Sequence, residues 1–247
     1  YVETAVQEAL FDAGLAETPY RRNVSETEYT QVLPSVHVNH FFENGFIARG
    51  AVWTSYARPS IERATRPLEL SYNPIDEATG DRIADPLQWE LTGGSVGNPG
   101  LEPAETTNFD ASLEWYNGRT GAYSVALFYK DIQDFTIRGS SSVIRGGTSP
   151  DVNLDEIAGD IDLGPNPIAE GFALSQASNG ESASIWGVEL SARQTFHWLP
   201  GPFDGFGVGV NMTYQESEAE TGMSWHPEGY SLPFFETPEL LFNGELY

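Results

Sequence analysis

The stretch Gly121 to Arg138, GAYSVALFYKDIQDFTIR, decides the reading of this chain. Taken two residues at a time it separates into faces. Tyr123, Val125, Leu127 and Tyr129 fall on one side; Ser124, Ala126, Phe128, Lys130 and Asp134 fall on the other. Successive side chains of a β-strand point to opposite faces, so this is strand periodicity. The strand is long for a soluble domain, and a Tyr stands at each end of its aliphatic face. A strand that crosses a bilayer needs that length and those ends.

Working outward, the same design recurs. Thr30 to Phe42 alternates, turns at Glu43-Asn44-Gly45, and returns from Phe46 to Arg58. Thr106 to Tyr116 sets Phe109, Ala111, Leu113 and Trp115 against Asn108, Asp110, Ser112 and Glu114, then turns at Asn117 to Thr120. Ser182 to Trp198 carries Trp186, Val188, Leu190, Ala192 and Phe196 on one face. Gly205 to Ser217 carries Phe206, Val208, Val210, Met212 and Tyr214, and a last strand is expected around Pro238 to Tyr247. The N-terminal Tyr1 to Thr4 reads as the tail of a strand, and residues 5–28 as a polar loop.

Short and long connections alternate along the chain. That asymmetry belongs to outer-membrane barrels, with short periplasmic turns and long external loops. Aromatics bracket the apolar faces: Phe46 and Tyr56 lie ten residues apart, as do Trp186 and Phe196. At ~3.3 Å per residue and a tilt near ~45°, such a span rises roughly 23 Å, close to the ~25 Å apolar band of these barrels. One girdle is expected at Phe42, Phe46, Trp115, Tyr123, Phe196 and Phe206, on the periplasmic side. The other is expected at Tyr56, Trp186 and Tyr214. A soluble β-sandwich also places aromatics at strand ends, but rarely carries two such long loops on one side.

The totals agree with an exported wall rather than a nucleic-acid binder. The formal charge is -24, from 12 Lys plus Arg against 36 Asp plus Glu, and there is no cysteine. Phosphate contacts depend on clustered basic residues, which are missing. Disulfides and thiolate metal sites are excluded. Lys130 is the only lysine.

Seven strings, in order, resemble TonB-dependent receptors. They are Leu33-Pro34-Ser35, Ala57-Arg58-Pro59, the run Gly97-Asn98-Pro99-Gly100-Leu101-Glu102-Pro103, and Phe128-Tyr129-Lys130-Asp131-Ile132; then Gly187-Val188-Glu189, Leu199-Pro200-Gly201-Pro202-Phe203 and Asn211-Met212-Thr213-Tyr214. The resemblance covers about residues 29–247. It implies an outer-membrane barrel of about 22 strands closed by an N-terminal plug, with uptake of a nutrient driven through the inner-membrane TonB complex. The expected fold is therefore all-β: an antiparallel transmembrane β-barrel, of which this chain supplies about seven to eight strands. Residues 1–247 read as a single partial barrel domain with long external loops at about 59–105 and 139–182. A plug and TonB box are expected upstream of Tyr1, and closing strands downstream of Tyr247. Expected partners are the TonB complex, outer-membrane lipid and a small or medium-sized nutrient, with no nucleic acid. The alternatives are a passive porin or small barrel, and a soluble glycan-binding β-protein.

Candidate binding residues are the polar ones on the inward faces: His37, Arg49, Lys130, Glu189 and Arg193. In a plugged barrel such residues commonly pair with the plug or with neighbouring strands. No cofactor or metal is expected. His37 and His40 are three apart on a strand and face opposite sides. Asp151, Asn153, Asp155 and Asp162 are spaced like calcium-loop ligands, but Glu156 stands where the sharp turn needs glycine. Paired acids such as Asp131 with Asp134, or Glu216 with Glu218, could serve glycoside hydrolysis, yet nothing in the sequence sets their separation. No Ser-His-Asp grouping, HExxH or phosphate loop is present, so an enzyme is not expected. The two long loops hold nine and seven of the acids, which disfavours polyanionic cargo.

Overall fold

A computed structural model of the chain describes residues 2–14, 28–142, 166–222 and 230–247. The chain divides into two compact units.

The larger is Thr30–Arg58, Pro103–Phe135 and Gly180–Tyr247. It is built on seven long strands: β1 (Ser35–Phe41), β2 (Phe46–Ala57), β5 (Ala104–Asn117), β6 (Gly121–Gln133), β9 (Ser182–Phe196), β10 (Phe206–Glu220) and β12 (Leu240–Leu246). Each pairs antiparallel with the next in that order, and the short β11 (Ser231–Leu232) also joins β10. Among the described residues β1 and β12 each pair on one side only, so the sheet they form is an open segment of barrel wall. That geometry disfavours a small barrel closed by these strands alone.

The register brings like faces together. Val36, Val52, Phe109, Tyr129 and Trp186 form one row across five strands. Leu127, Val188, Tyr214 and Leu240 form the row below. These side chains stay in the open: Val36 is 65% exposed, Leu127 55% and Phe242 67%. A contiguous apolar face of this size would be an aggregation hazard in water and is what a barrel presents to lipid. Phe46 stacks on Trp115 at 5.8 Å and Trp115 on Tyr123 at 5.3 Å, making a cross-strand ladder at the short-turn end. At the other end Phe109 meets Tyr129 and Trp186 meets Tyr214. Tyr56 stands apart from that second row, paired in register with Glu105 and beneath the Arg58 guanidinium.

The smaller unit is Tyr1–Tyr29, Pro59–Glu102 and Thr136–Asn179. Here the residues overturn two expectations. The strand tail expected at Tyr1 to Thr4 and the loop expected at 5–28 are corrected where they are described, because α1 spans Val2–Asp12. Val6 and Leu10 are four residues apart, a helical spacing, and both are buried against a sheet. That sheet runs β3 (Glu69–Asn73), β4 (Glu90–Val96), β8 (Ile168–Asn179), β7 (Thr136–Ser142), with β4 and β8 parallel. Leu70, Tyr72, Trp89, Leu91, Phe172 and Leu174 complete its core. A short helix, α2 (Ile61–Thr65), opens the unit's middle segment, its Ser60 Oγ accepting from the Arg63 N–H.

The second correction concerns Gly121 to Arg138, which is two strands rather than one. Asp134 takes φ 55°, a left-handed backbone, and ends β6. The next strand, β7, pairs with β8 in the smaller unit's sheet. The break recurs at the same register on the neighbouring strand, where the Gly180 N–H donates to the Phe135 carbonyl at 2.7 Å. A Cβ at Gly180 would stand 2.5 Å from the Phe135 ring, so only glycine fits beneath it.

Candidate functional site

The inward face of the larger unit carries the polar residues that the alternation places there. Four of the five candidates, His37, Arg49, Lys130 and Glu189, line one concavity of about 620 Å³; Asn39, Trp53, Asp110 and Gln215 share it. They come from β1, β2, β5, β6, β9 and β10, and register explains the gathering: Asn39, Arg49, Ser112, Ala126 and Glu189 lie in one row across the strands. Lys130 sits one row higher on β6 than Phe128, its Nζ 5.8 Å from that ring.

Two hydrogen-bonded groups stiffen this surface. Arg49 Nε donates to Glu114 Oε1 at 2.8 Å and Nη2 to Oε2 at 3.4 Å, a fork on one carboxylate. Nη1 reaches Asn39 Oδ1 at 3.3 Å, and the Tyr116 hydroxyl donates to Glu114 at 2.9 Å. Higher up, Trp53 Nε1 donates to Asp110 Oδ2 at 2.6 Å. Beside it Asn108, only 2% exposed, donates to the Trp53 and Thr106 carbonyls.

Arg193 is not part of the concavity. It lies over the Tyr247 ring at 4.6 Å, donates to the Tyr247 hydroxyl at 3.2 Å, and stands 3.9 Å from Glu245. Thr195 Oγ1 shares that hydroxyl at 3.0 Å. Arg193 lies on the same face of β9 as Glu189, but pairing register separates it from the other four.

Alternation alone does not single out the partners Asn39, Glu114, Trp53 and Asp110. The alternation puts each on the inward face; the signal lacking was register, which no single strand carries. Among the described residues there is no group of three or more His, Asp or Glu side chains placed to hold a metal ion. The acidic run Asp151, Asn153, Asp155, Asp162 lies outside the described residues. Asp131 accepts from Gln133, and Glu216 from the Tyr214 hydroxyl, so these acids are engaged locally. The concavity thus offers mixed charge and aromatic edges, suited to holding a polar body by hydrogen bonds.

An open antiparallel wall with lipid-suited residues on one face and this polar surface on the other defines a transmembrane β-barrel protein. Residues 10–247 match the family model described as TonB dependent receptor-like, beta-barrel, and the chain belongs to that family. No curated protein sequence matches it significantly. Among solved structures it is similar to the ferric enterobactin receptor PfeA, with 16% identity over 87% of this chain and 25% of that one, TM-score 0.52. A point mutant of PfeA from Pseudomonas aeruginosa, in complex with enterobactin, gives 17% identity over 87% and 25%, TM-score 0.50. The siderophore receptor PirA from Pseudomonas aeruginosa gives 14% identity over 76% and 30%, TM-score 0.46. The chain spans roughly a quarter to a third of the length of these structures.

Proposed function

We propose that this chain supplies wall and outer loops to a TonB-dependent receptor of the bacterial outer membrane. The receptor binds a scarce nutrient at its cell-surface face and imports it with energy relayed by the TonB complex. The observation that carries the reading is the pairing of a continuous, exposed apolar face with a polar opposite face across seven consecutive strands, in a chain of this family. Hydrocarbon accepts the first face and rejects the second, so the two faces assign lipid and lumen.

In this reading residues 59–105 and 139–182 are external segments and hold the specificity, while His37, Arg49, Lys130 and Glu189 belong to the lumen. There they bond to a plug or line the path of the solute. Arg193 serves near the short-turn end of the same lumen. A receptor, not an enzyme, is the role the geometry supports.

The test uses the full-length protein in its own cell. Uptake of the cognate solute, found by growth on candidate nutrients, is measured with the receptor present or deleted and with TonB present or deleted. Loss of uptake in both deletions is expected. Uptake that persists without TonB would favour a passive pore instead.

A further inference from the structure

One glycine of the wall stands where neither its backbone nor its neighbours require one. Gly50 lies inside β2 and takes no left-handed conformation. A Cβ there would meet only the Asp110 carbonyl oxygen, at 4.0 Å. Gly187 and Gly207, on the inward face, differ: a Cβ would press into the Phe128 ring at 2.4 Å or the Tyr247 ring at 2.2 Å. Glycine inside a strand weakens it, and often marks a place where a ligand comes close. We propose that Gly50 is the floor of a slot on the lipid face that seats one acyl chain of outer-leaflet lipopolysaccharide. The inference rests on the orientation given under the proposed function, with the short turns on the periplasmic side.

The slot is a concavity of about 460 Å³ across β1, β2, β5 and β6. Gly50 pairs with Val38 on one side and Ala111 on the other, and Ala111 pairs with Leu127. The row therefore dips at two small residues between two larger ones. In the row above, Val52 and Phe109 raise the rim, with Tyr129 beside them. Membrane segments that pack on one another bring small residues and backbones into close contact. Here Val38, Leu127, Val52 and Phe109 stand around the floor and hold a second wall or helix away from it. A single flexible chain still fits. It also restores the dispersion contacts that the lining atoms of an empty slot forfeit.

Height along the strands assigns the leaflet. Gly50 lies two outward-facing rows above the Phe46, Trp115 and Tyr123 ladder and one row below Phe109 and Tyr129. The next outward row is polar, with Thr54, Thr107, Asp131 and Ser184, and marks the end of the apolar band. The slot thus opens in the half of the band away from the short turns, which is the outer leaflet in this orientation. The Tyr129 hydroxyl has no hydrogen-bond partner among the described residues. Standing at the upper end of the slot, it is placed to donate to the acyl carbonyl, the polar group at the head of the chain. Apolar floor and polar tip together match one end of an acylated lipid.

The full-length receptor is extracted from outer membranes in mild detergent, and native mass spectrometry counts the lipid it retains. It is then exchanged against added lipopolysaccharide or phosphatidylethanolamine. Wild type should retain lipopolysaccharide, and Gly50→Leu should lose one molecule of it by filling the slot. Ala111→Leu fills the same slot from the neighbouring strand and should do the same, which guards against a folding defect peculiar to either variant. Tyr129→Phe should release the lipid about threefold to tenfold faster, the scale of one hydrogen bond. Leu190→Ala, on the same face outside the slot, should change nothing. Gel mobility of unheated samples confirms that each variant is folded. Equal retention by wild type and both filled variants would overturn the inference. So would retention of phosphatidylethanolamine in place of lipopolysaccharide, or a wild-type dimer that Gly50→Leu splits. TonB-dependent uptake, measured in parallel, should survive filling of the slot. Wild-type uptake that needs no TonB would instead count against the receptor reading and leave the slot standing.

Discussion

Arg49 and Glu114 meet diagonally across β2 and β5, two residues out of direct register, with the guanidinium forked on the carboxylate at 2.8 and 3.4 Å. Diagonal neighbours in an antiparallel sheet are within reach of long side chains, and this pair uses that reach to tie two wall strands together. Reversing either charge sets like charges side by side. Arg49→Glu or Glu114→Arg alone should therefore lower the yield of folded, heat-modifiable barrel several-fold in the full-length protein. The exchange of both should recover most of it. Gel mobility of unheated membrane fractions measures this, and a double variant no better than the worse single would show that the pair is not coupled.

The lipid face makes a second prediction. Leu127 is 55% exposed in the middle of the apolar rows, whereas Ser124 shares the inward row with Glu114. Arg at the midplane of the lipid face costs about 2–4 kcal/mol, while a lumen position tolerates it. Leu127→Arg should therefore reduce insertion by that amount in urea-titrated vesicle folding, and Ser124→Arg should change it little. Equal insertion of the two would reverse the assignment of faces.

Much of this wall was legible because period-two alternation is a local signal. Each of the seven long strands appears within a few residues of where the alternation places it. The Arg49 pairing was not legible, since Glu114 lies far away in sequence and register is set by turns and bulges. The smaller unit was harder still. Leu91 and Phe172 are drawn together by a parallel pairing between two segments that read as loops, and Val6 and Leu10 mark α1 by only two helically spaced residues. At Gly121 to Arg138 the alternation continues through a backbone break. Side-chain pattern reports which face a residue takes, but not that Asp134 adopts φ 55° and hands the chain to another sheet.

Gly187, in the Gly187-Val188-Glu189 string, gives a third prediction. It lies opposite Phe128, and a Cβ there would stand 2.4 Å from the Phe128 ring and 2.6 Å from the Tyr214 carbonyl oxygen. The ring covers the bare backbone of the glycine, a cross-strand arrangement that stabilises sheets. Gly187→Ala forces both neighbours to move and should cost about 1–3 kcal/mol by overpacking. The double variant Gly187→Ala with Phe128→Ala should lose less than the sum of the singles, read by the same vesicle titration.

Phe172 gives the fourth. It is fully buried in the smaller unit, in one core cluster with Leu91, Leu174 and Trp89, and the described residues of that cluster all belong to the smaller unit. Truncating a buried Phe costs about 3–5 kcal/mol, a large fraction of the stability of a unit this small. Phe172→Ala should therefore open β3, β4 and β8 to hydrogen exchange and to protease added outside intact cells. The amides of β5, β6 and β9 should keep their protection, because their hydrogen bonds close within the larger sheet. Loss of protection in both units together would show that they unfold as one, and protection unchanged in β4 and β8 would show that the Phe172 core does not hold the smaller sheet.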